Sequence, residues 1–396
     1  MTPAARLQAA IEILGAGSAR PLDRQFKDWF RAHRFAGSKD RHAITDQVYD
    51  IVRHRARLAH RMGADDPRAL VIAAVLAAGD APEALFTGGY GPSPLTDTER
   101  AAIARVPPPE PPSVAGEYPP WLEDELTRAF GAYLETEMAA FQARAPVDLR
   151  VNTLKARRAD VIAQLRADNF SCEIPAELAD AIRCPPGVNL TAHPLFLSGA
   201  FEIQDWAAQR AVVLSDARPG MRVLDLAAGA GGKSLALAAA MQNRGSILAF
   251  DDKPERLAPL AERAVRAGAS LIDTVPVRGG PLWGNGRFDL VFLDVPCSGS
   301  GTWRRQPELK WRLTPERLME LQAIQDWLFA DGARHTAPGG KLVYATCSIL
   351  PRENQDRVDA FLSEHPMFRR VTSDFHASPA RTASDGFYAA FLAREG

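Results

Sequence analysis

The chain has 396 residues, 46% of them hydrophobic and 24% charged, with a formal net charge of −1 at pH 7. That length allows two or three domains and a core that needs no disulfide staple. No apolar run approaches the roughly 18 residues of a membrane span and no charged-then-apolar leader opens the chain, so a cytoplasmic protein with reduced thiols is expected. None of the four cysteines, Cys172, Cys184, Cys297 and Cys347, forms a C-x-x-C pair, and no metal site is expected. Charge is uneven: residues 1–62 carry twelve Lys/Arg against six Asp/Glu, net +6, which leaves −7 for the remainder. Such a basic end suits a polyanion partner, although ordinary solvated helix faces would also produce it.

Apolar periodicity predicts helices at Ala4 to Leu14, Leu22 to Arg34 and Arg41 to Arg61, the last loaded at its far end with Arg53, Arg55, Arg57 and Arg61. The bland reading of those arginines is that they complement the helix dipole. Helices at Arg68 to Ala78 and, behind a Thr96 cap, to Arg105 follow. Val106-Pro-Pro-Pro-Glu-Pro-Pro-Ser113 cannot continue a helix or join a central strand, because its prolines lack donors and constrain their neighbours. It reads as an extended linker and domain boundary, followed by helices at Pro120 to Phe130 and Tyr133 to Arg144.

From Asp148 the pattern becomes mixed: a strand at Leu149 to Asn152, a helix at Ala159 to Ala167, short strands near Cys172, Ile182 and Phe201, and a helix through Leu214 capped by Asp205. From Arg222 strands and helices alternate, which signals a parallel sheet with right-handed crossovers. Strands are expected at Val223 to Leu226, Ser246 to Phe250, Asp273 to Val277, Phe288 to Leu293 and Lys341 to Ala345. Helices are expected at Gly232 to Met241, Pro254 to Ala267, Pro315 to His335 and Glu353 to Glu364, with an antiparallel edge strand at Phe387 to Ala393.

Val223-Leu-Asp-Leu-Ala-Ala-Gly-Ala-Gly-Gly-Lys-Ser234 is a strand, a glycine turn and a helix start. It misses the phosphate loop G-x-x-x-x-G-K-[ST], since Ala227 stands where the first glycine belongs, and it misses G-x-G-x-x-G spacing. With Asp251 ending the next strand it suits an adenosine-bearing cofactor, and nicotinamide cofactors and S-adenosylmethionine both satisfy that pattern. Asp294-Val-Pro-Cys-Ser-Gly-Ser-Gly-Thr302 and Tyr344-Ala-Thr-Cys-Ser-Ile349 each place a thiol after a buried strand of the same sheet. Thiols there suit covalent catalysis, while buried structural cysteines are the alternative. Trp303-Arg-Arg-Gln-Pro-Glu-Leu-Lys-Trp-Arg312 interleaves aromatics and cations in a way that suits unstacked bases.

Together with Asn354, Arg150-Val-Asn-Thr153 and Gln204-Asp205, these motifs resemble the S-adenosylmethionine-dependent RNA (cytosine-5) methyltransferases, nearest the bacterial ribosomal RNA small subunit methyltransferase B family. The resemblance covers roughly residues 120–396, and the basic helices resemble, more weakly, that group's NusB-like RNA-binding domain. It implies an α/β protein with a Rossmann-like methyltransferase sheet at 205–396, a small α+β RNA-recognition subdomain at 119–204, a Pro-rich linker at 106–118 and an all-helical domain at 1–105.

It further implies that Cys347 attacks the 6-carbon of cytosine, that Cys297 assists breakdown of the adduct, and that Asp294 holds the ring and protonates it, with Lys233 nearby. Ala227, Ala228, Gly229, Ala230, Gly231, Gly232, Lys233, Asp251, Arg256 and Asp294 correspond to the S-adenosylmethionine cradle. Arg150, Asn152, Gln204, Asp205, Pro296, Arg304 and Arg305 correspond to the RNA side. The implied substrate is RNA, most of all small-subunit ribosomal RNA; no metal or membrane is expected, and the sequence leaves the oligomeric state open, with a monomer favoured. The alternatives are the same chemistry on transfer RNA, an amino-methyltransferase that needs no thiol, and a non-catalytic RNA-binding assembly factor. The sequence departs from the family where Ala230 replaces a proline and where Arg278-Gly279-Gly280 replaces an adenine-side aspartate.

Overall fold

The computed structural model describes residues 1–17, 20–275 and 288–396. By internal contacts the chain forms two units, Met1–Ala143 with Trp303–Leu313, and Arg144–Thr302 with Thr314–Gly396.

The first unit is helical. Helices Pro3–Gly15, Leu22–Ala32, Ser38–Arg53, Arg55–Met62 and Pro67–Ala77 bury Leu7, Ile13, Ile44, Val48, Ile51 and Ile72 in one core. The periodicity predicts one helix from Arg41 to Arg61, but the chain breaks at His54 (φ −108°, ψ 24°). The cause is Glu117, whose carboxylate accepts from the amides of Ala56 (2.8 Å) and Arg57 (3.1 Å) and so caps a second helix start. The arginines of this region serve the fold. Arg61 donates to the carbonyls of Ala102, Ile103 and Arg105, Arg57 to Glu110 and Ala115, and the buried Arg53 to the carbonyl of Arg304. By internal contacts the Pro-rich stretch 106–113 groups with this unit.

Among the described residues, the second unit holds two sheets. In the smaller, β1 (Val147–Val151) pairs antiparallel with β2 (Ala181–Cys184) and β3 (Phe201–Ile203), and the strand expected near Cys172 reduces to one bridge between Glu173 and Arg183. The larger contains β4 (Arg222–Asp225), β5 (Ser246–Phe250), β6 (Ile272–Val275), β7 (Phe288–Asp294), β8 (Thr336–Thr346), β9 (Phe368–Arg370), β10 (Phe375–Ala377) and β11 (Phe387–Arg394). Its order is β10-β11-β8-β7-β4-β5-β6, with β9 also paired to β11, and β4 to β8 run parallel. This is the Rossmann-like arrangement.

Because the chain steps outward from β4 through β5 to β6 and then returns to place β7 on the other side of β4, the topological switch falls between β4 and β7. Ligands of open α/β sheets bind beyond the carboxyl ends of strands at that switch. β11 is antiparallel as expected but is not an edge strand, since β10 and β9 pair along its far side. Those two strands are three residues each, too short to carry a period in sequence. The expected helix Pro254 to Ala267 divides into Pro254–Leu257 and Pro259–Ala267, because Pro259 has no amide to continue the ladder. The end of the expected third strand beyond Val275, and Arg278-Gly279-Gly280, lie outside the described residues.

Candidate active site

The turn after β4 is tied down by its neighbour. Ala228 donates to the carbonyl of Phe250 (2.8 Å), and Gly229 (φ +52°) donates to Asp251 Oδ2 (2.9 Å) at the end of β5. Gly231 (φ +81°) caps the helix Gly232–Ala240, and a Cβ there would sit 2.1 Å from Leu260, so only glycine fits. Ala227 and Ala228 are half-buried and Ala230 is exposed, its carbonyl accepting from Arg263 at 2.6 Å. Asp251 also accepts from the Lys253 amide and lies 3.5 Å from Arg256, so cradle residues named from sequence on both β4 and β5 meet at one edge.

Asp225, the last residue of β4, is fully buried; Oδ2 accepts from Ser234 Oγ at 2.6 Å while Oδ1 has no partner in the protein. Burial first, against the Ser234 hydrogen bond, and then the negative charge of Asp294 and Asp251 push its carboxyl up to about 7. Sequence reading passed over this residue, although an acid closing an apolar strand is the signal that singled out Asp294.

Lys233, one residue into that helix, reaches across to Asp294 at the end of β7, and Nζ donates to Oδ2. It also stands 5.5 Å from the centre of the Phe387 ring. Burial alone would lower the lysine, but the charge and hydrogen bond of Asp294, then negative charge at Cys347 and Asp225, outweigh it and raise its pKa. Three residues past Asp294, Cys297 Sγ lies 3.3 Å from Cys347 Sγ, which follows β8. The hydrogen bond with Cys347, then burial, then negative charge at Cys347 and Glu353 drive the Cys297 thiol well above the ordinary range.

What holds two loops from two strands at this spacing is Glu353, which sequence reading assigned only to a helix start. It is fully buried, and its carboxylate accepts from the Ser298 amide (2.8 Å), Ser298 Oγ (2.5 Å), Ser348 Oγ (2.5 Å) and Gln325 Nε2 (3.0 Å). Ser298 follows Cys297 and Ser348 follows Cys347, so one carboxylate grips the residue after each thiol. Ser300 Oγ adds a bond to the Ile349 amide, Gly301 donates to the Cys347 carbonyl, and Asn354 bonds Thr346 Oγ1 and the Ser348 carbonyl. A buried polar network satisfied on this scale holds a single geometry.

Of the RNA-side residues named from sequence, Arg150 is buried and donates to Gln204 Oε1 at 2.7 Å, and Gln204 Nε2 reaches the Gly232 carbonyl at 3.3 Å. Burial brings the Arg150 guanidinium down to about 10. The Pro296 carbonyl accepts from Gln325. Asp205 caps the helix Trp206–Leu214 and accepts from the Asp385 amide, and Asn152 is buried between the carbonyls of Gly199 and Ala267. Arg304 and Arg305 belong to the segment that groups with the helical unit, where Arg304 is buried. Among the described residues no cluster of His, Cys, Asp or Glu could hold a metal ion, and no helix is long and apolar enough to cross a membrane.

A family model for the 16S rRNA methyltransferase RsmB/F matches residues 212–393, and one for the RsmF/B-like ferredoxin-like domain matches residues 118–191, together more than half of the chain. The chain belongs to the RsmB/F family. The RsmB/F match covers β4 to β10 and nearly all of β11, hence both thiols, Asp294 and the glycine turn. The ferredoxin-like match takes in β1 and β2. The ribosomal RNA small subunit methyltransferase B of Serratia proteamaculans is 34% identical over 283 residues, 69% of this chain and 66% of that protein; the match thus spans just under two thirds of the relative's length. The crystal structure of PH0851 superposes with a TM-score of 0.80 at 26% identity, covering 100% of this chain and 99% of its own. A methyltransferase homolog from Pyrococcus horikoshii gives 0.63 at 26% identity, over 71% of this chain and 97% of its own.

Proposed function

We propose that this chain transfers a methyl group from S-adenosylmethionine to the 5-carbon of a cytosine in RNA, through a covalent adduct on Cys347, and that its substrate is small-subunit ribosomal RNA in the cytoplasm. The observation that carries this is the pair of thiols 3.3 Å apart after adjacent parallel strands, on the same sheet edge as the Lys233–Asp294 ion pair. The curated relative is a small-subunit ribosomal RNA methyltransferase, which supports the substrate class. A methyltransferase acting on an exocyclic nitrogen, or a non-catalytic assembly factor, would need neither thiol.

The turn fits the cofactor: Asp225 Oδ1 is buried and unpartnered beside it, and a Cβ built on Gly229 would meet only Arg256 at 3.5 Å and Asp251 at 3.9 Å. Ala227 to Lys233, Asp225, Asp251 and Arg256 would hold S-adenosylmethionine, which when bound supplies an electrophilic methyl group. The remaining chemistry belongs to the chain. The 5-carbon of cytosine is a poor nucleophile until a thiolate adds at the neighbouring 6-carbon and makes an enamine. Cys347 makes that addition, while the Lys233 ammonium, which donates to Asp294, supplies the proton that Asp294 passes to the ring nitrogen, stabilising the adduct. Once the 5-carbon is methylated, its hydrogen passes as a proton to water, the C–H electron pair re-forms the 5,6 double bond, and the Cys347 thiolate is released with the assistance of Cys297. The base must leave its stack to reach the thiols, at a cost of roughly a few kcal/mol.

The test is to incubate unmodified small-subunit RNA with purified protein and labelled S-adenosylmethionine, digest it, and identify the labelled nucleoside by mass spectrometry. Label in 5-methylcytidine is expected; label in any other nucleoside would overturn the assignment.

A further inference from the structure

The helical unit contains a cavity of about 280 Å³ that the proposed reaction does not use. Small-ligand pockets begin near 300 Å³, so this one suits a single flat ring system better than a whole nucleotide. Its floor is apolar, with Leu22, Val52 and Leu70, and its aromatic side is Trp311, which donates Nε1–H to the Val52 carbonyl at 2.8 Å. Two buried acceptors line it. Gln25 is held by its amide nitrogen, which donates to the carbonyls of Gly17 (3.0 Å) and Arg20 (2.8 Å), and this leaves Oε1 without a partner. Glu308 Oε2 is likewise buried and unpartnered. Both side chains are more than nine-tenths buried.

Two unsatisfied acceptors in a buried, aromatic-walled space are costly unless a donor arrives, and a burial penalty of this kind is what specific hydrogen-bonding sites exploit. The ligand must therefore be apolar on its faces and offer donors at its edge. Cations lie around the opening: Arg20 is largely exposed and only loosely paired with Asp28 at 3.5 Å, and Arg55 stands over the Trp311 ring at 5.9 Å while held by Asp65. A flat ring with edge donors and a phosphate beside it is a nucleotide in an unpaired strand.

We propose that this cavity receives one unpaired RNA base bearing an exocyclic amine, that is adenine, guanine or cytosine, with its amine toward Glu308 Oε2 and Gln25 Oε1 and its phosphate toward Arg20. Uracil is excluded because its single edge N–H lies between two carbonyls, which would face the two acceptors. The inference rests on the preceding section only in taking RNA as the ligand.

The test uses the full-length protein and labelled oligoadenylate and oligouridylate, with binding followed by fluorescence anisotropy at fixed salt. Neither strand contains the cytosine of the proposed reaction, so failure here and failure of that reaction are separate results. Oligoadenylate is expected to bind at least about tenfold tighter than oligouridylate, the size of one well-paired base edge. Glu308→Gln brings an NH₂ donor where the carboxylate offered acceptors only, so the preference disappears or turns toward uridine. Gln25→Met removes the second acceptor and also abolishes the preference. Equal binding of the two strands by the wild-type protein, or an unchanged preference in either variant at wild-type thermal midpoint, would overturn the proposal.

Discussion

Two pairs of thiols lie within hydrogen-bonding distance in this chain, and what surrounds them differs. Cys297 and Cys347 stand 3.3 Å apart at the ligand edge of the parallel sheet, on the edge where Lys233 meets Asp294. Cys172 and Cys184 stand 2.8 Å apart in the small sheet, where Cys184 is fully buried in a cluster with Leu149, Ile182, Leu190 and Phe201. There burial, then the hydrogen bond with Cys172, raises the Cys184 thiol, and the charge of Asp148 works against ionisation too. Proximity of two sulfurs therefore says little about chemistry. A cation nearby and a carboxylate that fixes both loops make the difference.

The largest effect expected from this contrast is on Cys347. Cys347→Ala should lower methyl transfer at least about 10⁴-fold, as removal of a catalytic nucleophile does, while Cys184→Ala should leave transfer unchanged and cost about 1 kcal/mol of stability. Rates from a labelled-methyl assay and denaturant midpoints check both arms, and comparable losses in the two variants would erase the distinction.

Next comes the support behind the reactive pair. Glu353→Gln replaces one acceptor oxygen by a donor, so at least one of the two loops loses its anchor. Expected is a fall in kcat of about 10²-fold with KM little changed, the signature of misplacement at the reacting centre. A raised KM at wild-type kcat would assign Glu353 to RNA binding instead.

A pH-dependent effect on stability is expected at Asp225. Its folded carboxyl is raised to about 7 from an ordinary 3.8, so burial favours the neutral form. The stabilisation is fully present below about pH 4 and is lost as pH rises toward about 7, up to about 4 kcal/mol at the outer limit. Thermal midpoints of the wild-type protein should fall over that window relative to Asp225→Asn, and parallel curves would place Asp225 in a more solvated setting.

The middle of the sheet was legible because buried parallel strands such as β5 (Ser246–Phe250) and β7 (Phe288–Asp294) carry apolar runs closed by a polar residue. Asp294, Cys297 and Cys347 were readable for the same reason. Glu353 was not, since an acid after Pro351-Arg352 resembles any helix start, and its role depends on β7 and β8 being neighbours. Asn152 was legible only in part: its place beside Arg150 can be read from the sequence, but not that its side chain bridges the carbonyls of Gly199 and Ala267. The arginines after Val52 likewise suggested a polyanion surface, and the fold uses two of them, Arg57 and Arg61, to hold the stretch 102–117. Charge counted along a chain does not separate solvent-facing cations from those that carry hydrogen bonds.

The division of labour between Cys347 and Cys297 is tested most directly by trapping. Purified Cys297→Ala, incubated with substrate RNA and S-adenosylmethionine and run on a denaturing gel, should accumulate a protein–RNA species that peptide mapping places on Cys347. The same gel for Cys347→Ala should show free protein only. A covalent species in Cys347→Ala, or none in Cys297→Ala under turnover, would contradict the assignment of attack to one thiol and release to the other.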